Sequence, residues 1–238
     1  MVILHRHEEW RISSWEGDQF AELPLEGEIR DLPSSLEWRR WDGGAGDLEF
    51  QLRPSFPEYP VIAKPTPALT ISPGGHALFY IGIPASLEVY GQCDGTLRKL
   101  ASLSTDSLSK SWHGDRSAGQ VCYALRTRAR RSFDPSDWPE HDIVVAVDLK
   151  NESSEAFLFD RLFLDLGHFS IFNHEGHLWS NACQIRISED DEDGNDITYA
   201  PNPLDPASDA PEIATAQAGK ARRSKIGSAF TSVIDIIP

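Results

Sequence analysis

Three imidazoles and a carboxylate fall within ten residues, in His168-Phe-Ser-Ile-Phe-Asn-His174-Glu175-Gly176-His177. Imidazole nitrogens are good zinc ligands, and three of them can form an open catalytic site. The spacing is not that of HExxH, so the helical geometry that aligns two histidines is missing. Gly176 marks a turn, and the stretch reads as a polar connection between two strands with no metal bound. Glu189-Asp-Asp-Glu-Asp-Gly194-Asn195-Asp196 resembles a calcium loop at first sight. Counted from Glu189, carboxylates occupy positions one, three and five, and glycine position six. Position eight is then Asp196 where an apolar residue belongs, and position twelve is Ala200 where a bidentate Glu is needed. A hairpin turn between Gln184-Ile-Arg-Ile187 and Asp196-Ile-Thr-Tyr199 fits better.

A second kind of chemistry lies between Leu97 and Ser132, where eight Lys or Arg stand against two acids in a chain of net charge −15. Arg126, Arg128 and Arg130 alternate, so on a strand they point to one face. Guanidinium forks on neighbouring sites suit phosphate or carboxylate. The segment Trp112-His113-Gly114-Asp115-Arg116 ends a few residues before the strand that would carry those arginines. The candidate ligand-binding set is therefore Trp112, His113, Asp115, Arg116, Arg126, Arg128 and Arg130, with a small anion or an acidic peptide as the ligand. The plainer account is pairing with the chain's own carboxylates, or an edge strand guarded by charge.

Other chemistries find less support. There is no GxSxG and no cysteine in a known local signature, so no catalytic nucleophile is identified. Without GxGxxG or a Walker loop, no nucleotide cofactor is expected. Seven tryptophans suit sugar stacking, which makes a carbohydrate-binding or carbohydrate-active protein the alternative function, although tryptophans also fill sandwich cores. Cys93, Cys122 and Cys183 contain no CxxC pair, and Cys122 sits inside a strand pattern as a small buried hydrophobe. An odd cysteine count and an N-terminus that meets charge after three apolar residues point to a reducing, cytoplasmic location. No apolar run is long enough to span a bilayer. The acidic field opposes nucleic-acid binding.

The elements that must position these residues are strands. Leu48–Leu52 alternates with period two. Five prolines in residues 54–67 read as an edge strand or extended connection, because each removes a backbone donor. Strand-like runs at 68–72, 77–83 and 86–90 are separated by turn signals, which suggests antiparallel β structure. Gly119–Ala129 reads as one long strand with Val121, Tyr123 and Leu125 on one face. Asp142–Leu149 is a β-branched run, and Ala156–Leu166 reads as the strand that returns beside it. Residues 201–211, rich in Pro, Asp, Ser and Ala, read as a linker. Residues 212–238 read as a C-terminal helix or tail.

Pro54-x-x-Pro57-x-x-Pro60-Val-Ile, Phe79-Tyr-Ile-Gly-Ile-Pro84, Leu108-Ser-Lys-Ser-Trp112-His-Gly114-Asp and Gly119-Gln-Val-Cys122-Tyr-Ala-Leu together resemble domain-of-unknown-function family 432 over residues 15–190. The resemblance implies one β-rich domain and no activity, cofactor or catalytic residue. The expected fold is mainly β, an antiparallel β-sandwich in residues 1–200 with a short C-terminal helix. The expected function is a non-enzymatic cytoplasmic binding or interaction module, without a cofactor, taking a small anionic ligand or a protein partner.

Overall fold

Alternating and β-branched runs become twenty short strands among the described residues. The computed structural model describes residues 2–6, 9–13, 37–42, 49–93, 96–114, 117, 119–188, 196–216 and 223–225. In chain order the first strands are β1 (Val2–Arg6), β2 (Glu9–Ser13), β3 (Arg39–Asp42), β4 (Glu49–Ser55), β5 (Val61–Pro65), β6 (Leu69–Ile71) and β7 (His76–Pro84). Next come β8 (Ser86–Cys93), β9 (Thr96–Ser104), β10 (Ser109–His113), β11 (Gln120–Thr127), β12 (Asp142–Asn151), β13 (Phe157–Phe159) and β14 (Leu162–Leu164). The last are β15 (Ile171–His174), β16 (His177–Ser180), β17 (Cys183–Ile187), β18 (Asp196–Tyr199), β19 (Glu212–Ala214) and β20 (Arg223–Lys225). Helix among the described residues is limited to the 3-10 turns Pro135–Asp137 and Leu166–His168.

The chain divides into two compact units. The smaller is built from Met1–Arg53 and Leu87–Asp106, the larger from Pro54–Ser86 and Ser107–Pro238. The smaller unit holds the sheets β1-β2-β3 and β4-β8-β9. Its core is Ile12, Val89 and Ala101, with Phe50, Leu100 and Leu103 against them. On the β4-β8-β9 sheet, the Tyr90 hydroxyl donates to the Glu88 carboxylate at 2.7 Å and Lys99 pairs with the same group. Burial works to raise the Glu88 carboxyl, but the hydrogen bonds from Lys99 and Tyr90 outweigh it and hold the group below its ordinary range.

In the larger unit, β12 organises the main sheet. Ile143, Val144, Val145, Ala146 and Val147 are all fully buried, as a strand covered on both faces requires. One edge of β12 pairs antiparallel with β7 from Asp142 to Lys150. Its other edge pairs parallel, first with β16 and then with β17. The sheet runs β19-β15-β16-β12-β17-β18-β20 with β7 added on β12. A second sheet has the order β10-β11-β5-β14. Val61, Ala63, Leu125, Leu162 and Leu164 from it share one core with Phe79, Ile81, Val145, Val147 and Ile185 of the main sheet.

Several expectations need correction. The sheets are mixed, because β11 pairs parallel with β5 and β12 with β16 and β17. The strands β6 and β7 do pair antiparallel, with β13 and β12, and β8 lies between β4 and β9. Ala156–Leu166 does not return beside β12, since β14 pairs with β5. Turn signals end strands but do not choose their partners, and buried runs such as β7 and β12 gain most from each other. The proline-rich stretch holds a connection at residues 56–60, as one alternative had it, but its strand is no edge: β5 lies between β11 and β14, with Pro65 at its end. Finally, the described part of the C-terminal segment is strand and not helix. Glu212–Ala214 pairs with β15 and Arg223–Lys225 with β18. Backbone pairing on an open sheet edge outweighs the helix propensity of an alanine-rich stretch. Residues 217–222 and 226–238 lie outside the described residues. In the expected linker, Pro203 and Ala207 are buried, and Ala207 joins the cluster of Tyr80, Val144, Ala146 and Trp179 on the main sheet.

Candidate functional site

The β10–β11 hairpin carries most of the residues singled out by chemistry. Ser111 pairs with Cys122, Trp112 with Val121 and His113 with Gln120. Gly114 closes the hairpin with φ +93°, where a Cβ would meet the Gly119 Cα at 3.1 Å. Side chains alternate as the period of two demands. Leu125 enters the shared core with Tyr123 packed on it, while Cys122 faces the other way, onto Ile62 and Phe163. His113 joins that second face. Its ring stacks on Phe163 with centroids 4.2 Å apart and planes 15° apart. It is 9% exposed and its Nδ1 has no hydrogen-bond partner. Burial lowers its pKa, so the imidazole is held neutral and is a poor anion ligand. Trp112 is half-buried, and Asp115 and Arg116 lie outside the described residues.

The arginines do not join His113. Gln120, paired with His113, and Arg126 are six residues apart on one strand, which places them roughly 20 Å apart at about 3.3 Å per residue. Among the described residues of the expected pocket, His113 and the arginines are therefore not brought to one end of the sheet. The three arginines do not share a face either. The strand ends at Thr127, whose carbonyl accepts from the Thr66 N–H at 2.8 Å and whose hydroxyl accepts from the Ala129 N–H at 3.2 Å. Ala129 then takes φ +45°, a left-handed value that breaks the alternation. Arg130 bridges to Tyr80 of β7 through both its N–H and its carbonyl. Its guanidinium is occupied by Asp137 at 2.5 Å.

What the structure assembles instead is a basic surface around the far end of β11. Arg126, Arg128 and Arg131 are exposed, and among the described residues none of the three has an ion-pair partner. Arg126 stands in register with Lys64 on β5, so two cations sit side by side across a parallel ladder. Like charges directly opposite disfavour pairing. The next strand brings Arg161, one residue before β14, whose Nε and Nη2 donate to the two oxygens of Asp160 at 3.2 and 3.0 Å. Arg161, opposed by burial and helped by Lys64, holds the Asp160 carboxyl below its usual range. Lys64 escaped the sequence reading because its proline-rich stretch looked like an edge. The parallel register that places it beside Arg126 leaves no trace in local spacing. Arg131 was counted in the basic run, but its odd position removed it from the alternating set.

The histidine cluster is spread over a hairpin and a turn. His174 and His177 are partners across the β15–β16 hairpin, whose turn residues Glu175 and Gly176 have φ +51° and +85°. His168 belongs to a 3-10 turn, with its ring 4.8 Å from that of Tyr199 and its Nε2 3.6 Å from Asp165. Among the described residues, no group of three His, Cys, Asp or Glu side chains is gathered to hold a metal ion. The acidic connection 189–195 lies outside the described residues, but its flanks β17 and β18 do pair as a hairpin.

Trp179 is fully buried, and Trp38, Trp112 and Trp138 are half-buried. Trp15 and the side chains of Trp10 and Trp41 lie outside the described residues. Trp138 forms an aromatic cluster with Phe133, which lies 4.4 Å from Trp179 between ring centroids. Cys122 and Cys183 are free thiols with no exposed surface, and burial pushes Cys183 up to about 12.

No curated protein and no solved structure is similar enough to match the chain. One family model does match, over residues 1–235, a longer span than the 15–190 that its motifs suggest. The chain thus belongs, over nearly its whole length, to the family described as "Protein of unknown function (DUF432)".

Proposed function

We propose that this protein is a non-enzymatic binding module that recognises an anionic group on the arginine surface at the end of β11. The site sits at the rim of a sandwich formed by the main sheet and the β10-β11-β5-β14 sheet. One observation carries the reading. In a chain with 37 Asp and Glu, Arg126, Arg128 and Arg131 remain exposed and without an ion-pair partner among the described residues. Guanidinium forks left open in an acidic protein are matched to carboxylate or phosphate from outside. The buried, unpaired thiols of Cys122 and Cys183 support a cytoplasmic setting.

Thermal melts in citrate and in phosphate test this. A ligand at 100 times its Kd stabilises the native state by about 2.7 kcal/mol. The wild type should melt several degrees higher in saturating citrate or phosphate than in sodium chloride of matched ionic strength. The double variant Arg126→Ala, Arg128→Ala should melt normally without anion, because those side chains have no ion-pair partner among the described residues, and should lose the anion response. A wild-type melting temperature no higher in either anion than in sodium chloride of matched ionic strength would refute the reading.

A further inference from the structure

Resting on the anion reading, we infer that the occupant of the arginine surface is a short, extended acidic segment of a partner protein, with its acids at alternate positions. Three observations lead there. First, the arginines are exposed on a strand end and its continuation. Sites for small molecules are concave and bury most of their ligand. An open row of charge suits a chain laid across it.

Second, the spacing fits an extended peptide. Arg126 and Arg128 are separated by one residue, Thr127, which is still in the strand. Side chains two apart on an extended chain repeat at roughly 6.6 Å. A peptide running beside this segment presents every second side chain at the same interval, so successive carboxylates meet successive guanidiniums. Arg131, also exposed, lies beyond the point where Ala129 turns the backbone and adds to the local positive charge. Arg130 is excluded because Asp137 already fills its fork.

Third, the surrounding protein is strongly acidic, with net charge −15. A long or densely charged polyanion would be repelled by that field wherever it overran the arginines. Acids diluted by neutral residues gain the local contacts with less of the global repulsion. The same argument disfavours nucleic acid, whose charges cannot be diluted.

The test is fluorescence anisotropy at low salt with a labelled ten-residue peptide of strictly alternating glutamate and threonine, against the intact protein. Competitors are a block peptide of the same composition, with all its glutamates before all its threonines, citrate, and a ten-nucleotide single-stranded DNA. The alternating peptide should bind at least about tenfold more tightly than citrate or the block peptide, a difference of about 1.4 kcal/mol. Arg126→Ala and Arg128→Ala should each weaken it several-fold, with unchanged circular dichroism. Arg130→Ala should leave the affinity as it is. If citrate shifts the melting temperature but competes as well as the alternating peptide, the peptide inference fails while the anion reading stands. Tighter binding of the block peptide or the DNA overturns the inference. If neither peptide nor citrate binds, both readings fail.

Discussion

The ring of His113 lies almost parallel to Phe163, and desolvation depresses its pKa below the ordinary 6.5. The folded state therefore prefers the neutral ring, while the unfolded chain takes up a proton at its ordinary pKa. The unfolded state binds more protons over that interval, so stability rises with pH there. The contribution is fully present above about 6.5 and is lost as pH falls through 6.5 toward the depressed folded value. Urea unfolding midpoints measured from pH 8 to 5.5 should fall for the wild type. They should fall less for His113→Phe, which keeps the stack and removes the proton. An identical slope in both would show that His113 is not the group responsible. At this scale the sequence was partly legible. Cys122 is the small buried hydrophobe its strand pattern implied, because burial of an inward residue is a local property. His113 was read as a ligand because imidazole chemistry is visible in a sequence, whereas the Phe163 plate that neutralises it comes from β14, in a distant part of the chain.

Among elements, β7 and β12 set the stability of the larger unit, and Gly82 shows how closely they are covered. A Cβ at Gly82 would sit 2.5 Å from a carboxylate oxygen of Asp142 and 2.9 Å from the ring of Trp138. The indole lies parallel to Phe133 with ring centroids 6.4 Å apart, so either it or the β7 backbone must shift. Gly82→Ala should cost about 1–3 kcal/mol, as overpacking does. It should also change tryptophan fluorescence, since the contact between Trp138 and β7 must change, and an unchanged spectrum with unchanged urea midpoint would contradict the packing described. The existence of these strands was legible: alternation and β-branched runs located β6 to β8, β11 and β12 within a few residues. Their pairing was not. The parallel β12–β17 contact joins Val147 to Cys183, and the β11–β5 contact joins Tyr123 to Val61. Such neighbours are selected by the whole set of buried faces that must be covered at once, and no turn signal records them. The arginine site inherited that blindness, because its alternation depended on β11 running on beyond Thr127.

At the scale of the whole molecule, charge acts in two opposite senses. A net charge of −15 makes the folded chain repel itself, since folding brings 37 acids and 22 bases into a smaller volume. Several of the described ion pairs, such as Lys150–Glu152 and Arg161–Asp160, are partly exposed, and pairs of that kind contribute only about 0–1 kcal/mol each. Salt should therefore relieve more repulsion than it removes attraction. The Debye length shrinks from about 30 Å at 0.01 M to about 10 Å at 0.1 M, a range that spans most of a domain. Raising sodium chloride over that interval should increase the melting temperature of the free protein. The same salt should weaken an acidic ligand on Arg126, Arg128 and Arg131, whose attraction is local and solvent-exposed. Plotted together, the melting temperature should climb while affinity for the alternating peptide declines. A melting temperature that falls with salt would mean that native ion pairs outweigh the repulsion. Salt-independent peptide affinity would mean that contacts other than guanidinium–carboxylate pairs hold the ligand, and the open arginines would lose their assigned role.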